Sequence, residues 1–222
     1  MFRNCSMEDI SDGKLYDIND MARLGCNDCQ GCFKCCTDMG NSIMLDPLDV
    51  FRIRFNSGES IESLLQNKLE LNIVDGVILP NIRMSGADVR CPYLNEEGRC
   101  SIHEYRPGIC RLFPLGRYYE NGDYRYFLQK DQCRKANRTK VKISKWLDIP
   151  DYPEYREFVL KWHYLLLDLS EKMKTLQDSD VRQLELMLIN MFYIKVGAAD
   201  EREFMTEFNE KTVMMRKLLE EL

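Results

Sequence analysis

Residues 26–36 read CNDCQGCFKCC, so five cysteines fall within one short segment. Two residues separate each of the first three cysteines from the next, and Cys35 and Cys36 are adjacent. Buried cysteines that pack as small apolar residues recur at helix or strand spacing, which this segment does not follow. Two-residue intervals are typical of a loop that wraps its sulfurs around a metal centre. We therefore expect this segment to hold a metal ion or an iron–sulfur cluster.

A second group of cysteines lies further along the chain, in a segment that proline and glycine interrupt repeatedly. This group consists of Cys91, Cys100, Cys110 and Cys133. Because proline and glycine favour turns, we expect an irregular segment with little regular secondary structure. Metal coordination can order such a segment, since the free energy of metal binding contributes to the free energy of folding. We therefore expect metal to nucleate the fold of residues 26–135.

The composition limits the classes of protein to consider. The 222 residues carry a formal net charge of −5, and this mildly acidic balance does not favour a nucleic-acid partner. The first residues lack the apolar run of a signal peptide, and no segment is apolar enough to cross a bilayer. We therefore expect a cytoplasmic protein with no membrane partner, whose partner or substrate is a protein. Cytoplasmic thiols stay reduced, so the ten cysteines favour metal ligation over disulfides.

Local patterns predict short helices and hairpins around the two cysteine groups. An Asp-Pro pair at residues 46–47 predicts the start of a helix, and Ser60 can cap the next one. Asp-Gly at residues 75–76 and Asn-Gly at residues 121–122 lie between β-prone runs, which is the strongest short signal of a hairpin. Residues 21–24 predict a short helical turn that leads into the first cysteine group.

The C-terminal part of the chain predicts helices and contains no cysteine. Apolar residues recur at intervals of three and four between residues 155 and 173, which is typical of an amphipathic helix. Asp180 is expected to open a second helix that ends near Gly197, and Asp200 to open a third that continues to the C-terminus. Between these parts, the basic residues of segment 134–145 are expected to form a solvated surface or linker.

Together these patterns predict an α+β fold that is mainly α. We expect residues 1–25 to form an N-terminal segment and residues 26–145 to form an irregular, cysteine-rich domain that metal nucleates and that contains short hairpins. Residues 151–222 are expected to form a helical unit packed on that domain.

Spacing alone leaves two assignments of the metal ligands open. Cys26, Cys29, Cys32 and Cys36 follow the C-x₂-C-x₂-C-x₃-C run of bacterial ferredoxins, although Thr37 rather than proline follows and no second copy exists. The other assignment omits Cys26 and combines the remaining cysteines of the first group with the second group.

The second assignment also follows a family resemblance. Residues 29–36 resemble the CxxCxxCC signature of the YkgJ-type cysteine-cluster family, a zinc- or iron-chelating domain. Residues 91–114 are similar to that family's later pattern, C-P-x-L, C-x-I-[YH] and R-P-x-x-C-R-x-F-P, and Cys133 matches its last cysteine. The resemblance covers about residues 26–135, and Cys5 and Cys26 depart from its pattern. It implies eight metal ligands: Cys29, Cys32, Cys35, Cys36, Cys91, Cys100, Cys110 and Cys133.

Eight thiolates exceed the four ligands of a mononuclear zinc ion. They suit two four-ligand sites, or one [4Fe–4S] cluster with a further site. Because neighbouring side chains tend to point apart, we expect Cys35 and Cys36 to serve different metals or one of them to bridge. The two cysteine groups are therefore expected to converge on a shared region. Arg106 and Arg111 can offset the negative charge of such a centre, and His103 is a weaker ligand candidate.

Three functions remain open from the sequence. The resemblance extends to the flagellin lysine-N-methylase group, which implies modification of protein lysines, but the chain lacks G-x-G-x-x-G and C-x₃-C-x₂-C motifs. An iron–sulfur protein of electron transfer or redox sensing is the second hypothesis. The third is a zinc-stabilised interaction module without catalysis. We expect an iron–sulfur protein with a redox or protein-modification role, and no catalytic residue stands out.

Overall fold

The computed structural model describes residues 6–26, 32–86, 89–133, 135 and 137–222. The elements before residue 100 are α1 (Met7–Ile10), β1 (Met21–Gly25), a 3-10 turn (Lys34–Cys36), α2 (Pro47–Ser57), α3 (Ile61–Asn67), β2 (Leu69–Val74) and β3 (Val77–Ile82). The later elements are a 3-10 turn (His103–Tyr105), α4 (Gly108–Leu112), β4 (Leu115–Glu120), β5 (Asp123–Leu128), β6 (Thr139–Lys142), α5 (Ile143–Leu147), α6 (Tyr152–Met173), α7 (Asp178–Ile189), a π-helical turn (Asn190–Ile194) and α8 (Glu201–Glu221). The predicted α+β class, mainly α, is confirmed.

Contacts within the chain group these elements into two units. The cysteine unit contains the described residues up to 40 together with Met84–Tyr155. The C-terminal unit contains Asn41–Arg83 and Arg156–Leu222, so a segment from the middle of the cysteine-rich sequence belongs with the last helices. Boundaries at residues 25, 145 and 151, and the packing of a helical unit on the cysteine domain, stay predictions.

In the C-terminal unit, side-chain caps begin the two helices that precede the hairpin. The Asp49 backbone N–H donates to the Asp46 carboxylate at 2.8 Å, and the Asp46 N–H donates back to the Asp49 carboxylate at 3.2 Å. This reciprocal pair satisfies two backbone donors that the first turn of α2 leaves without partners. The Ser60 hydroxyl accepts from the Ser63 N–H at 3.2 Å at the start of α3. Both predicted helix starts are confirmed.

Two hairpins form where the sequence predicts them, one in each unit. Strand β2 pairs with β3 around Asp75-Gly76, and β4 pairs with β5 around Asn121-Gly122. All four turn residues have positive φ, between 51° and 85°, which the two-residue turns of right-twisted hairpins require. Asparagine, aspartate and glycine tolerate this region of φ better than other residues, so the turn chemistry fixes the register of both hairpins.

Aromatic rings and leucines fill the core of the C-terminal unit. The ring of Phe208 lies 4.5 Å from that of Phe158 and 6.2 Å from that of Trp162, measured between centroids. The buried Tyr193 hydroxyl donates to the Leu45 carbonyl at 3.0 Å. The predicted helix at 155–173 is confirmed by α6.

For the other two predicted helices of this part, the observed start agrees with the predicted one in α8 but not in α7. Helix α7 begins at Asp178, two residues earlier than the predicted start at Asp180, and it ends in the π-helical turn Asn190–Ile194 before Gly197 is reached. The predicted start of α8 is confirmed, because the Asp200 carboxylate accepts from the Glu203 N–H at 2.8 Å.

In the cysteine unit, residues 21–25 form strand β1 and the predicted helical turn is wrong. Ala22 and Leu24 are buried while Met21 and Arg23 are exposed, which is the two-residue alternation of a half-buried strand. Strand β1 pairs antiparallel with β6, and a Cβ atom at Gly25 would lie 2.1 Å from the Thr139 hydroxyl oxygen. Glycine is therefore required where the two strands meet.

Part of the basic segment forms β6 rather than a linker, although its lysines are exposed as expected. No helix within the described residues combines the length and the apolar content needed to cross a membrane.

Candidate metal centre

The vicinal cysteines lie in the 3-10 turn Lys34–Cys36. The Cys36 N–H donates to the Phe33 carbonyl at 2.8 Å, and the Thr37 hydroxyl donates to the Lys34 carbonyl at 3.2 Å. An interaction with the Cys36 side chain is the first cause that raises the pKa of the Cys35 thiol, so the two side chains lie close enough to interact. The expectation that Cys35 and Cys36 serve different metals, or that one of them bridges, stays a prediction.

The second cysteine group reaches the first through the backbone. The Cys91 N–H donates to the Cys36 carbonyl at 2.8 Å, next to the bridge between Thr37 and Arg90. A further bridge between Leu94 and Cys100 folds the chain back on itself. The thiol of Cys35 consequently interacts electrostatically with those of Cys91 and Cys100.

We call Cys35, Cys36, Cys91 and Cys100 the four-thiol group. The group draws on both cysteine-rich segments of the chain.

The environment of Cys35, Cys91 and Cys100 raises the pKa of their thiols and so favours the protonated form in the absence of a cation. The interaction with the Cys36 side chain and then burial raise the pKa of Cys35 strongly. Burial is also the main cause that raises the pKa of Cys91 and of Cys100, and the neighbouring cysteines raise both further. A metal cation reverses this balance because it binds the thiolate and not the thiol. Cysteine sulfurs are also the donors that thiophilic metals such as zinc and iron prefer, and those of this group are half-buried. The donor set therefore fits a zinc ion or an iron–sulfur cluster.

One of the two candidate arginines lies beside these thiols. The Arg106 guanidinium lowers the pKa of both Cys35 and Cys100, against the larger effects that raise them. Its Nη1 lies 2.7 Å from the Nε2 of His103, and since arginine can only donate, that nitrogen accepts. The contact therefore occupies the Nε2 lone pair of His103. Arg111 instead donates to the Glu104 carbonyl and braces the 3-10 turn His103–Tyr105.

The remaining candidate ligands occupy different parts of the same unit. Cys110 lies on α4, Cys32 precedes the 3-10 turn at Lys34, and Cys133 follows β5; all three are half-buried. Cys29 and Cys5 lie outside the described residues. Cys26 is buried directly after β1.

Within the part of the chain that the structure describes, no three Cys, His, Asp or Glu side chains are arranged as a finished ligand set. The sulfurs of the four-thiol group are thus neighbours that have to rearrange to share a metal. The membership of the eight predicted cysteines in one ligand set stays a prediction.

The sequence itself matches one family. The match is to CxxCxxCC, described as "Putative zinc- or iron-chelating domain", over residues 28–142, which is just over half of the chain. The chain belongs to the CxxCxxCC family. Its matched region contains all eight predicted ligands and excludes Cys5 and Cys26. No curated protein and no solved structure matches the chain.

Sequence reasoning found these cysteines by their spacing but missed how the two groups meet. The hydrogen bond between Cys91 and Cys36 depends on an isolated bridge of residues 37 and 90. A single pair of bridged residues has no alternating apolar pattern, so no signal in the sequence marked it.

Proposed function

We propose that this CxxCxxCC protein carries an iron–sulfur cluster bound by cysteine thiolates and that the cluster serves a redox or protein-modification role. The observation that carries the proposal is the meeting of the vicinal pair Cys35 and Cys36 with Cys91 and Cys100. Sulfurs from two distant segments that already interact electrostatically are candidates to share one centre once metal rearranges them.

The ligands proposed for this centre and a further site are the eight family cysteines: Cys29, Cys32, Cys35, Cys36, Cys91, Cys100, Cys110 and Cys133. Because eight thiolates exceed the needs of one zinc ion, a cluster of the [4Fe–4S] type with an additional site accounts for more of them. When bound, such a cluster supplies one-electron transfer at a potential that its surroundings set.

Arg106 is proposed to stabilise the charged form of this centre. Four thiolates carry a large negative charge, and a guanidinium that already interacts with Cys35 and Cys100 offsets part of it. The contact with His103 fixes the direction of the guanidinium. In a metal site such outer contacts tune the affinity and the potential, so Arg106 is a positioning and charge-balancing residue rather than a ligand.

A zinc-stabilised interaction module is the alternative, and one observation favours it. The four-thiol group supplies four cysteine sulfurs, which is the ligand number of a structural Cys₄ zinc site. In this reading metal only folds the cysteine unit, and a protein partner is bound elsewhere on the chain. Neither reading includes a membrane or nucleic-acid partner.

Purification of the full chain without oxygen, followed by assays of iron, zinc and acid-labile sulfide, tests the proposal. We expect brown protein in which iron and sulfide are present in equal amounts and whose visible absorption bleaches on reduction. Colourless protein with stoichiometric zinc and no sulfide would overturn the cluster and support the interaction module. Refolding the metal-free protein with iron and sulfide, or with zinc alone, controls for metal acquired by chance during expression.

A further inference from the structure

A cleft of about 650 Å³ opens in the cysteine unit next to the segments that carry the four-thiol group. This volume is within the range of ligand-binding pockets in proteins. Phe33 forms one wall, and the cleft is also lined by Asp38, Glu96 and Glu97. Thr37, Arg90, Leu94 and Gly98 complete the lining, so the cleft combines one aromatic ring, three carboxylates and one guanidinium, a combination that thiolate metal binding does not use.

The ring of Phe33 is partly exposed to solvent and contacts Gly98 on one side. The side chain is 48% exposed, which is unusual for an aromatic residue in a well-packed unit. It lies against Gly98, where an added Cβ atom would be 2.9 Å from the Phe33 Cδ1, and Gly98 has a φ of +72° that favours glycine. The absence of a side chain at residue 98 thus lets the Cδ1–Cε1 edge of the ring approach the backbone. Because about half of Phe33 is exposed, its ring can also contact a ligand that has a flat or apolar surface.

The turn at residues 95–98 holds two of the carboxylates in place. Arg90 donates to the carbonyls of Leu94 and Asn95, at 3.2 Å and 3.0 Å, and so fixes the start of this turn. The Gly98 N–H donates to the Asn95 carbonyl at 3.1 Å and closes the turn. Glu96 and Glu97 are exposed at its tip. These two side chains are thus carried on a preorganised backbone.

Three carboxylates and one guanidinium line the cleft, so the net charge of its lining is negative. Asp38 forms an ion pair with Lys34 at 2.7 Å, and the guanidinium of Arg90 is held by backbone carbonyls. Among the ion pairs of the described residues, none includes Glu96 or Glu97. Two carboxylates therefore remain to meet a cation that lies on the ring.

We propose that this cleft binds an arginine side chain of a partner polypeptide. A guanidinium is planar, stacks on aromatic rings and receives a carboxylate through two parallel hydrogen bonds, so it uses both the ring of Phe33 and the carboxylates. A lysine ammonium is a compact, strongly hydrated charge, and a hard metal ion gains nothing from the ring. The cleft is larger than one side chain, which leaves room for the residues that flank the arginine. This inference goes beyond the proposed metal function and holds for either metal.

Fluorescence polarisation with a labelled peptide, GSRSG, tests the inference on the full metal-loaded chain. Three competitors separate the sources of affinity: the same peptide with lysine, the same peptide with citrulline, and free arginine. We expect the lysine peptide to bind about threefold more weakly, because the cation–π contact and bidentate geometry are reduced. The citrulline peptide has the same shape without the charge, and it should not compete at the same concentration.

Variants then locate the site. Exchange of both carboxylates, Glu96→Gln with Glu97→Gln, should weaken binding about tenfold or more, since charge-assisted hydrogen bonds are lost. Phe33→Leu should weaken it about threefold. The matched control, Glu210→Gln with Glu220→Gln, changes the net charge equally at exposed positions of α8 and should bind as the parent does. Metal content and circular dichroism report whether each variant is folded.

Several outcomes would overturn the inference. Equal affinity for the arginine and lysine peptides would show that the cleft does not select a guanidinium. Equal affinity for free arginine would show that the rest of the polypeptide contributes nothing to binding. Equal weakening in the control pair would show non-specific attraction to an acidic protein. For variants that do not fold, nuclear magnetic resonance of the parent protein decides: shifts on peptide addition that miss Phe33, Glu96 and Glu97 would place the arginine elsewhere. None of these results changes the metal content, so they are distinct from failure of the proposed function.

Discussion

The two units of this protein are of similar length but are held together by different means. In the C-terminal unit, aromatic rings and leucines from α2, α6 and α8 are fully buried and contact one another closely. In the cysteine unit the strands are short and in pairs, and the residues that join distant segments include half-buried thiols and an arginine. The C-terminal unit has a core that burial of apolar surface can stabilise alone, whereas we expect the cysteine unit, which also buries apolar residues such as Leu24, Leu115 and Tyr126, to depend in addition on what its thiols bind.

Removal of the metal should reveal this difference between the two units most strongly. Metal binding to thiolate sites contributes about 10 kcal/mol or more to folding in small domains, so chelation should unfold the cysteine unit. The C-terminal unit should keep its helices. Hydrogen exchange read by mass spectrometry can follow the two units separately in one sample. Equal loss of protection in both units, or none in either, would contradict the comparison.

Loss of a single thiol should have the next largest effect. Cys91→Ser removes a member of the four-thiol group that is also bonded through its backbone to Cys36, so the protein should lose at least one metal equivalent. Cys26→Ser and Cys5→Ser lie outside the family pattern and should keep the metal content of the parent. Plasma emission analysis of the three variants measures the number of metal equivalents per chain. Full loss of a metal in Cys26→Ser would favour the ferredoxin-like assignment instead.

A cavity in the aromatic core should lower the stability of the C-terminal unit only. Phe208→Ala removes a buried ring that contacts Phe158 and Trp162, and a change of this kind costs about 3–5 kcal/mol of the free energy of unfolding. The exposed Val213→Ala, on the same helix, serves as the control and should cost little. Urea denaturation gives the stability, and the metal content should stay constant. A Phe208→Ala protein that also loses metal would show that the units are not independent.

Removal of a helix cap should give the smallest measurable effect. Asp46→Ala removes the carboxylate that accepts from the Asp49 N–H, while the backbone N–H of residue 46 can still donate to Asp49, and the change should lower the free energy of unfolding by about 1 kcal/mol. The unfolding transition monitored by far-ultraviolet circular dichroism should shift while metal binding is unchanged. Restoration by Asp46→Asn, which keeps an accepting oxygen, separates capping from charge. A neutral result for Asp46→Ala would show that tertiary packing alone begins this helix.

Local chemistry decided which parts of the fold the sequence could predict. The hairpins at Asp75-Gly76 and Asn121-Gly122 and the caps at Asp46 and Ser60 depend on residues a few positions apart, and all were predicted. Strand β1 was misread as a helical turn because its partner is more than a hundred residues away. A strand of five residues has too few alternations to be separated from a helix turn without its neighbour.

For the candidate metal centre too, local features could be predicted from the sequence, whereas contacts between distant segments could not. Spacing and the family resemblance pointed to eight cysteines, since metal ligation leaves a signature in the order of residues. The interaction between the adjacent side chains of Cys35 and Cys36, the approach of Arg106 and the wall formed by Phe33 over Gly98 depend on backbone turns. Those turns arise from contacts between segments, which a single sequence encodes only indirectly.

The interleaved order of the two units has a consequence for synthesis on the ribosome. Residues 41–83 emerge before the helices after residue 156 with which they are grouped. At about 5–20 residues per second, the ribosome needs roughly 10 s to complete the remaining chain. Throughout that interval the apolar side chains of α2, α3 and the β2–β3 hairpin cannot contact the helices after residue 156, which belong to the same unit. All cysteines, by contrast, have been translated by residue 133, so metal can begin to order its ligands while the aromatic core is still being made.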